Sequence, residues 1–268
     1  MIYIALLCTI LLIYLLIILG VYYFQTKLIF FPTKLREDYK YQFEEPFQEF
    51  WIEEKDIRLN GLLFLSQTNE SKGCVLYHHG NSRNIQHWAS YSSDFTSRGW
   101  DVFFYDYRGF GKSTGKMKEN FLYKDSKLAY NFIKEKYPKH KIIQYGRSLG
   151  TALATRLAKK HPETPLLILE TPYFSMSEMA RLKMPFLPTS LILTFKLRQD
   201  IDIKKVKCPI TIFSGTHDEL TPHIHSHQLQ ALVPKTSLII IENGTHNDLP
   251  TYTTYQNSLD RLLYSELN

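Results

Sequence analysis

The chain has 268 residues, of which 44% are apolar and 22% charged, and it carries 18 tyrosines and 17 phenylalanines. Such a chain has the length and apolar content of one large domain with a buried core, and its composition excludes a disordered or low-complexity protein. The formal charge of +6 is scattered over pairs such as Lys134/Lys136, Lys159/Lys160 and Lys204/Lys205. No basic run interleaved with stacking aromatics or nucleic-acid-binding motif appears, so no nucleic acid partner is expected; solvated helix and loop ends, with a weak attraction to anionic lipid, account for the charge.

Between Ile2 and Phe24 no side chain is charged. The stretch Ile2 to Leu19 is long enough to cross a hydrocarbon layer of about 30 Å. Tyr22, Tyr23 and Phe24 follow it as an interfacial aromatic group. A cleaved signal peptide fits less well, because no basic residue precedes the apolar run and no small-x-small site closes it. A buried core helix is the other reading, but such helices are rarely apolar on every face. The expectation is a single-pass membrane anchor over residues 1–25. Lys27, Lys34, Arg36 and Lys40 all follow the span, so the positive-inside rule leans the rest of the chain toward the cytoplasm.

Residues 26–46 read as an irregular connector and 47–268 as the main domain. Phe47 to Glu54 and Ile57 to Gln67 predict a hairpin turning at Glu54-Lys55-Asp56. Strands are then expected at Cys74–His78, Asp101–Tyr105, Lys141–Tyr145, Pro165–Leu169, Ile210–Phe213 and Ser237–Ile241. Helices are expected between them at Ile85–Arg98, Glu119–Tyr137, Ser148–His161 and Ile224–Leu232, and a last one from about Asp248 to Leu267. Strands alternating with helices predict an α/β fold, a mostly parallel sheet covered on both faces. Residues 174–207 form an apolar insertion broken by Pro185 and Pro188, either a cap over a cleft or a segment packed on the sheet.

The pentapeptide Gly146-Arg147-Ser148-Leu149-Gly150 lies between the strand ending at Tyr145 and the helix-competent Thr151–Ala158. A serine on a strand-to-helix turn flanked by glycines is the context of a nucleophile elbow. A hydroxyl needs a base oriented by a carboxylate, and in this architecture the chain order is serine, acid, histidine. His246 follows the last strand through a glycine-bearing loop and is the expected base. Asp218 follows the preceding strand and is the expected acid; Glu219 is its adjacent decoy, and Asp248 suits the cap of the final helix better. The oxyanion of an intermediate would be held by the backbone N–H groups of Leu149 and Asn81. His223, His225 and His227 lack a completing ligand, and Cys8, Cys74 and Cys208 have no paired spacing. Neither a metal site nor a disulfide framework is expected.

Six motifs occur in order: His79-Gly80-Asn81, Tyr105–Ser113, Gly146–Gly150, Glu170-Thr171-Pro172-Tyr173, Gly215–Glu219 and His246–Leu249. Together they resemble the Bem46-like group of α/β-hydrolases, which takes in the α/β-hydrolase domain-containing proteins 13 and 17. The resemblance runs from about Phe30 to near the C-terminus. It implies the α/β-hydrolase fold and a Ser148–Asp218–His246 triad. It also removes a false lead, since Gly109–Ser113 echoes a phosphate-binding loop whose first glycine would have to stand at Asp106; Asp106 and Arg108 are instead expected to be structural partners.

The expected activity is hydrolysis of carboxylic esters or thioesters of acyl or lipid-like substrates, without a cofactor. An amidase or peptidase would use the same three residues, and a non-catalytic protein of this fold would ordinarily have lost one of them. An epoxide hydrolase or dehalogenase would need a carboxylate where Ser148 stands.

Overall fold

The computed structural model describes residues 1–265. At its centre, short runs rich in β-branched and aromatic residues pair into one sheet. Its strands are β1 (Phe47–Glu54), β2 (Ile57–Phe64), β3 (Cys74–His78), β4 (Asp101–Tyr105), β5 (Ile142–Arg147), β6 (Leu167–Glu170), β7 (Ile210–Gly215) and β8 (Ser237–Ile241). The order across the sheet is β8-β7-β6-β5-β3-β4-β2-β1. Only β2 runs against its neighbours, in the hairpin with β1 and in its pairing with β4; the other pairings are parallel.

Period-two alternation divides the strands between two cores. On one face Val75, Tyr77, Val102 and Phe104 pack under Trp88, Phe95 and the apolar side of the last helix, α6 (Thr253–Ser265). On the other, Leu76, Phe103 and Tyr105 pack under α2 (Glu119–Lys134) and α3 (Gly150–Lys160). Each large apolar side chain so buried contributes about 1.5–3 kcal/mol. α5 (Ile224–Leu232) closes the same side through Leu229, against Ala154 and Ala158 of α3. The final helix was expected to reach Leu267, and that end lies outside the described residues.

Three segments differ from their sequence expectation. Residues 85–98 form short turns, Ile85–Trp88, Ala89–Tyr91 and Ser93–Thr96, instead of one helix. Asn84 caps the first turn, and the serines that follow bond to nearby backbone, as in Ser90 Oγ to His87 O at 2.7 Å. The connector is stitched down rather than irregular: Phe31 and Pro32 pair in parallel with Ser82 and Arg83, and Leu35 N–H donates to Gly111 O. The insertion divides its work. α4 (Met176–Lys183) and the turn Thr189–Ile192 pack toward the N-terminal helix. The following turn, Gln199–Asp202, docks on α3, where Asp202 accepts from Arg156 and Lys159.

α1 (Ile2–Ile29) is long and apolar enough to cross a membrane, and only 6% of its most apolar stretch is buried, unlike the core helix of a soluble protein. It runs four residues past the expected anchor and delivers the chain straight to the Ser82–Arg83 pairing.

Arg108 and Asp106 are not paired with each other. Arg108 Nε reaches Asp125 of α2 at 2.8 Å, and the Arg108 N–H donates to the same carboxylate. Asp106 instead faces His79 and accepts from Ile85 N–H.

A polar seam joins the broken 85–98 segment to α6. Arg98 Nε donates to Asp260 at 2.6 Å, and Gln256 Nε2 donates to Asp94 at 3.2 Å. Burial, opposed by that hydrogen bond, pushes the Asp94 carboxyl up to about 6. With the folded value above the unfolded one, the native state keeps a proton that the unfolded chain has released. Stability from this group is therefore complete below about pH 4 and lost as pH rises to about 6. Thermal unfolding in detergent should show the wild type losing more stability than Asp94→Asn between pH 4 and pH 6.5. Equal pH slopes in the two proteins would rule this out.

Candidate active site

The turn between β5 and α3 positions Ser148. The strand continues through Arg147, the helix begins only at Gly150, and Ser148 sits between them in the left-handed region at φ +51°. A residue with a Cβ adopts that conformation only under constraint. Here the Ser148 N–H is held by Glu170 O at 2.9 Å, and a side chain on Gly150 would have its Cβ 1.9 Å from His78 O. The close approach of the α3 N-terminus to the end of β3 is possible only with glycine at position 150.

Ser148 Oγ lies 3.0 Å from His246 Nε2, and His246 Nδ1 lies 2.8 Å from Asp218 Oδ2. The three side chains come from the turns after β5, β7 and β8, which end on the same edge of the parallel sheet. Asp218 is buried and Glu219 exposed, its backbone oxygen accepting from Lys183. Burial alone would raise the Asp218 carboxyl; the hydrogen bond and charge of His246, with the Thr221 donors, outweigh it and hold the carboxyl below the usual carboxylate value.

Sequence reasoning missed Thr221. Its N–H donates to Asp218 Oδ1 at 2.7 Å, and its hydroxyl lies 2.8 Å from Asp218 Oδ2 and 3.1 Å from His246 Nδ1. The signal was local: a threonine three residues after an aspartate in a tight turn. Asp248 does not use its side chain to cap a helix. It accepts from Thr245 N–H at 2.7 Å and so closes the loop that carries His246.

Asn81 and Leu149 stand beside Ser148 on one cavity of about 350 Å³. Asn81 is fixed by its side chain, which donates to Ile29 O at 2.5 Å, and by its carbonyl, which accepts from Phe31 N–H. His79 braces the same loop, stacked 4.1 Å from Tyr107 and bonded through Nδ1 to Gly80 O. Beneath it, burial depresses His78 to about 3 and leaves a neutral imidazole bridging Tyr105 and Gln144. A second, more open cleft lies on the outer side of His246, between Thr216–Leu220 and Thr245–Asn247. Among the described residues no group of three His, Cys, Asp or Glu gathers where it could hold a metal ion.

The elbow has a buried ionic support. Arg147 and Glu170 are each 1% exposed and approach to 3.2 Å. Tyr145 and Tyr255 also donate to Glu170, while Arg147 reaches Asn247 O at 3.1 Å and lies over the Trp88 and Tyr91 rings. Burial works against the Arg147 charge, but Glu170 and the surrounding tyrosines outweigh it.

Comparison with known proteins supplies the family. The family described as "Serine aminopeptidase, S33" matches residues 69–203, half of the chain. The chain belongs to the α/β-hydrolases. It is 31% identical to α/β hydrolase domain-containing protein 17C of Xenopus tropicalis over 212 residues, 77% of this chain and 66% of that protein. It is also 31% identical to the 17B protein of the same organism, over 76% of this chain and 71% of that one. It thus falls in the group around protein 17, and it spans slightly under two thirds of the length of the 17C relatives. Among solved structures, an esterase of Pyrococcus furiosus superposes with a TM-score of 0.69 at 17% identity, covering 90% of this chain and 98% of that one. At that identity the likeness concerns the fold. The matched family region contains Ser148 and ends before Asp218 and His246.

Removing one member of the Arg147–Glu170 pair strands a buried charge. Glu170→Gln and Arg147→Met should each lower stability by about 3–5 kcal/mol, and the double variant should lose much less than their sum. A thermal-unfolding cycle in detergent measures this, and strictly additive losses would contradict it.

Proposed function

We propose that this α/β-hydrolase is a serine hydrolase that cleaves carboxylic esters or thioesters of acyl, lipid-like substrates. The observation that carries the reading is the chain of contacts Ser148 Oγ–His246 Nε2–Asp218 at 3.0 and 2.8 Å, opening on an apolar cavity. In this reading His246 takes the Ser148 proton as the oxygen attacks the acyl carbonyl. Asp218 holds the imidazole in the tautomer that presents Nε2 as acceptor and stabilises the imidazolium. The Leu149 and Asn81 N–H groups receive the oxyanion, assisted by the N-terminus of α3. Collapse of the intermediate expels the alcohol or thiol, which takes the proton from His246. Water, deprotonated by His246, then attacks the acyl-enzyme and releases the acid.

The two sides of Ser148 differ in a way that suits this division. The cavity wall is built of Met176, Met179, Met184, Leu193 and Tyr173, which suits an acyl chain, while the open cleft beyond His246 suits a polar leaving group and water. Aminopeptidase activity fits less well, because among the described residues Lys183 is the only charged one lining the cavity and no carboxylate there would hold a substrate α-ammonium. α1 is proposed to anchor the protein in a membrane, with the hydrolase domain on the cytoplasmic side, where Lys27, Lys34, Arg36 and Lys40 would lie.

A fluorophosphonate probe should label the wild type and leave a folded Ser148→Ala unlabelled. An unlabelled but folded wild type would defeat the reading. Asp218→Asn should lower kcat by roughly 10⁴-fold, as expected when the imidazole is held in the wrong tautomer. Across a series of p-nitrophenyl esters, kcat/KM should rise by up to about fourfold per methylene, the equivalent of about 0.8 kcal/mol per buried CH₂, until the cavity is full. A flat or falling series would argue against an acyl-chain cavity.

A further inference from the structure

One wall of the cavity comes from outside the hydrolase domain. Val21, Gln25, Leu28 and Ile29 of α1 line it together with Met176 and Met179 of α4. The contact is specific. Gln25 is 3% exposed, in a helix otherwise free of buried polar side chains. Its Oε1 accepts from Thr194 N–H at 2.7 Å and Thr194 Oγ1 at 2.9 Å, and its Nε2 donates to Tyr22 O at 2.7 Å. A buried amide is costly unless paired, and this one is paired on both sides, so it sets the rotation of α1 against the insertion. Val21 then packs on Ile192 and Leu193, and farther up the helix Tyr14 Oη donates to Phe186 O at 2.9 Å.

That last contact sets a depth. Tyr14 precedes Lys27, the first charged residue, by thirteen positions, about 20 Å along a helix rising 1.5 Å per residue. If Lys27 marks the polar surface of a membrane, the insertion beside Tyr14 lies at the level of the hydrocarbon. It is fitted for that place, since Phe186 and Leu191 are 86% and 81% exposed and would be costly to leave in water.

We propose that the last turns of α1 are a substrate-binding wall. The cavity takes the acyl chain of a bilayer-resident ester or thioester, which enters sideways from the hydrocarbon between α1 and the insertion, whose tip sits in the same layer. This rests on the serine-hydrolase reading of Ser148. It makes the N-terminal helix part of the acyl site as well as an anchor, because Val21, Gln25, Leu28 and Ile29 line the cavity that holds Ser148.

The test uses the full-length chain in phosphatidylcholine vesicles and a decyl fluorophosphonate whose chain ends in a diazirine. Photolysis after labelling should join the Ser148 peptide to a peptide containing Val21–Ile29, identified by mass spectrometry. Labelled Ser148 with cross-links confined to the Thr216–Glu219 and Thr245–Asn247 loops would overturn the proposal and leave the hydrolase reading standing. Unlabelled Ser148 would overturn both. In a second arm, Val21→Trp, checked for folding by its thermal transition, should lower the ratio of kcat/KM for decanoyl over acetyl p-nitrophenyl ester at least tenfold. An unchanged ratio would also overturn the proposal.

Discussion

The tightest constraint in the structure is the passage of the Ser148 turn beneath the end of β3. A Cβ on Gly146 would stand 2.6 Å from Gly150 O, and one on Gly150 would stand 1.9 Å from His78 O. With both absent, β5 can reverse into α3 within two residues, and Ser148 takes up its left-handed conformation at the apex. The same close approach brings the His79–Asn81 loop against Ser148, since that loop leaves β3 where α3 presses on it. The placement of Ser148, of the proposed N–H donors of Asn81 and Leu149 and of a helix N-terminus is therefore one packing event.

The strained turn is supported by charge rather than by hydrophobic packing alone. Arg147 cannot point to solvent, because its strand neighbours enclose it, so its guanidinium is met by Glu170 and by the Trp88 and Tyr91 rings. Replacing such a pair with apolar residues is often neutral for stability. Its value here is geometric. Arg147 also reaches Asn247 O, next to His246, and Glu170 supplies the carbonyl that holds Ser148 N–H. Two residues paired across β5 and β6 thus tie the His246 loop and the Ser148 turn to one buried ion pair.

Much of this was legible in the residues because the underlying signals are local. Cys74–His78, Asp101–Tyr105 and Ser237–Ile241 have the expected bounds, since each is a short apolar run closed by polar or glycine-bearing turns. Ser148, Asp218 and His246 stand within hydrogen-bonding distance because parallel strands deliver their following loops to one edge. What escaped depends on contacts between distant segments. Helical periodicity over 85–98 conceals the serines that divert backbone bonds and the seam to α6. The connector looks irregular because its partners, Ser82, Arg83 and Gly111, are about fifty residues or more away. Arg108 and Asp106 are neighbours in sequence, yet each finds its partner elsewhere, on α2 and in the His79 loop.

The insertion shows the same limit and its consequence for function. Its composition fits equally a cap or a segment packed on the sheet. In the structure its first half packs toward α1, along Ile18, Val21 and Ile29, while Asp202 ties its second half to Arg156 and Lys159 of α3. A helix in lipid gains little from hydrophobic contact with another apolar surface, because lipid tails are equally apolar. With α1 in lipid, as proposed, polar contacts would fix its orientation, and Gln25 and Tyr14 make such contacts. An anchor serving only to hold the domain near a membrane would need neither contact, and both are made to the segment that walls the cavity beside Ser148.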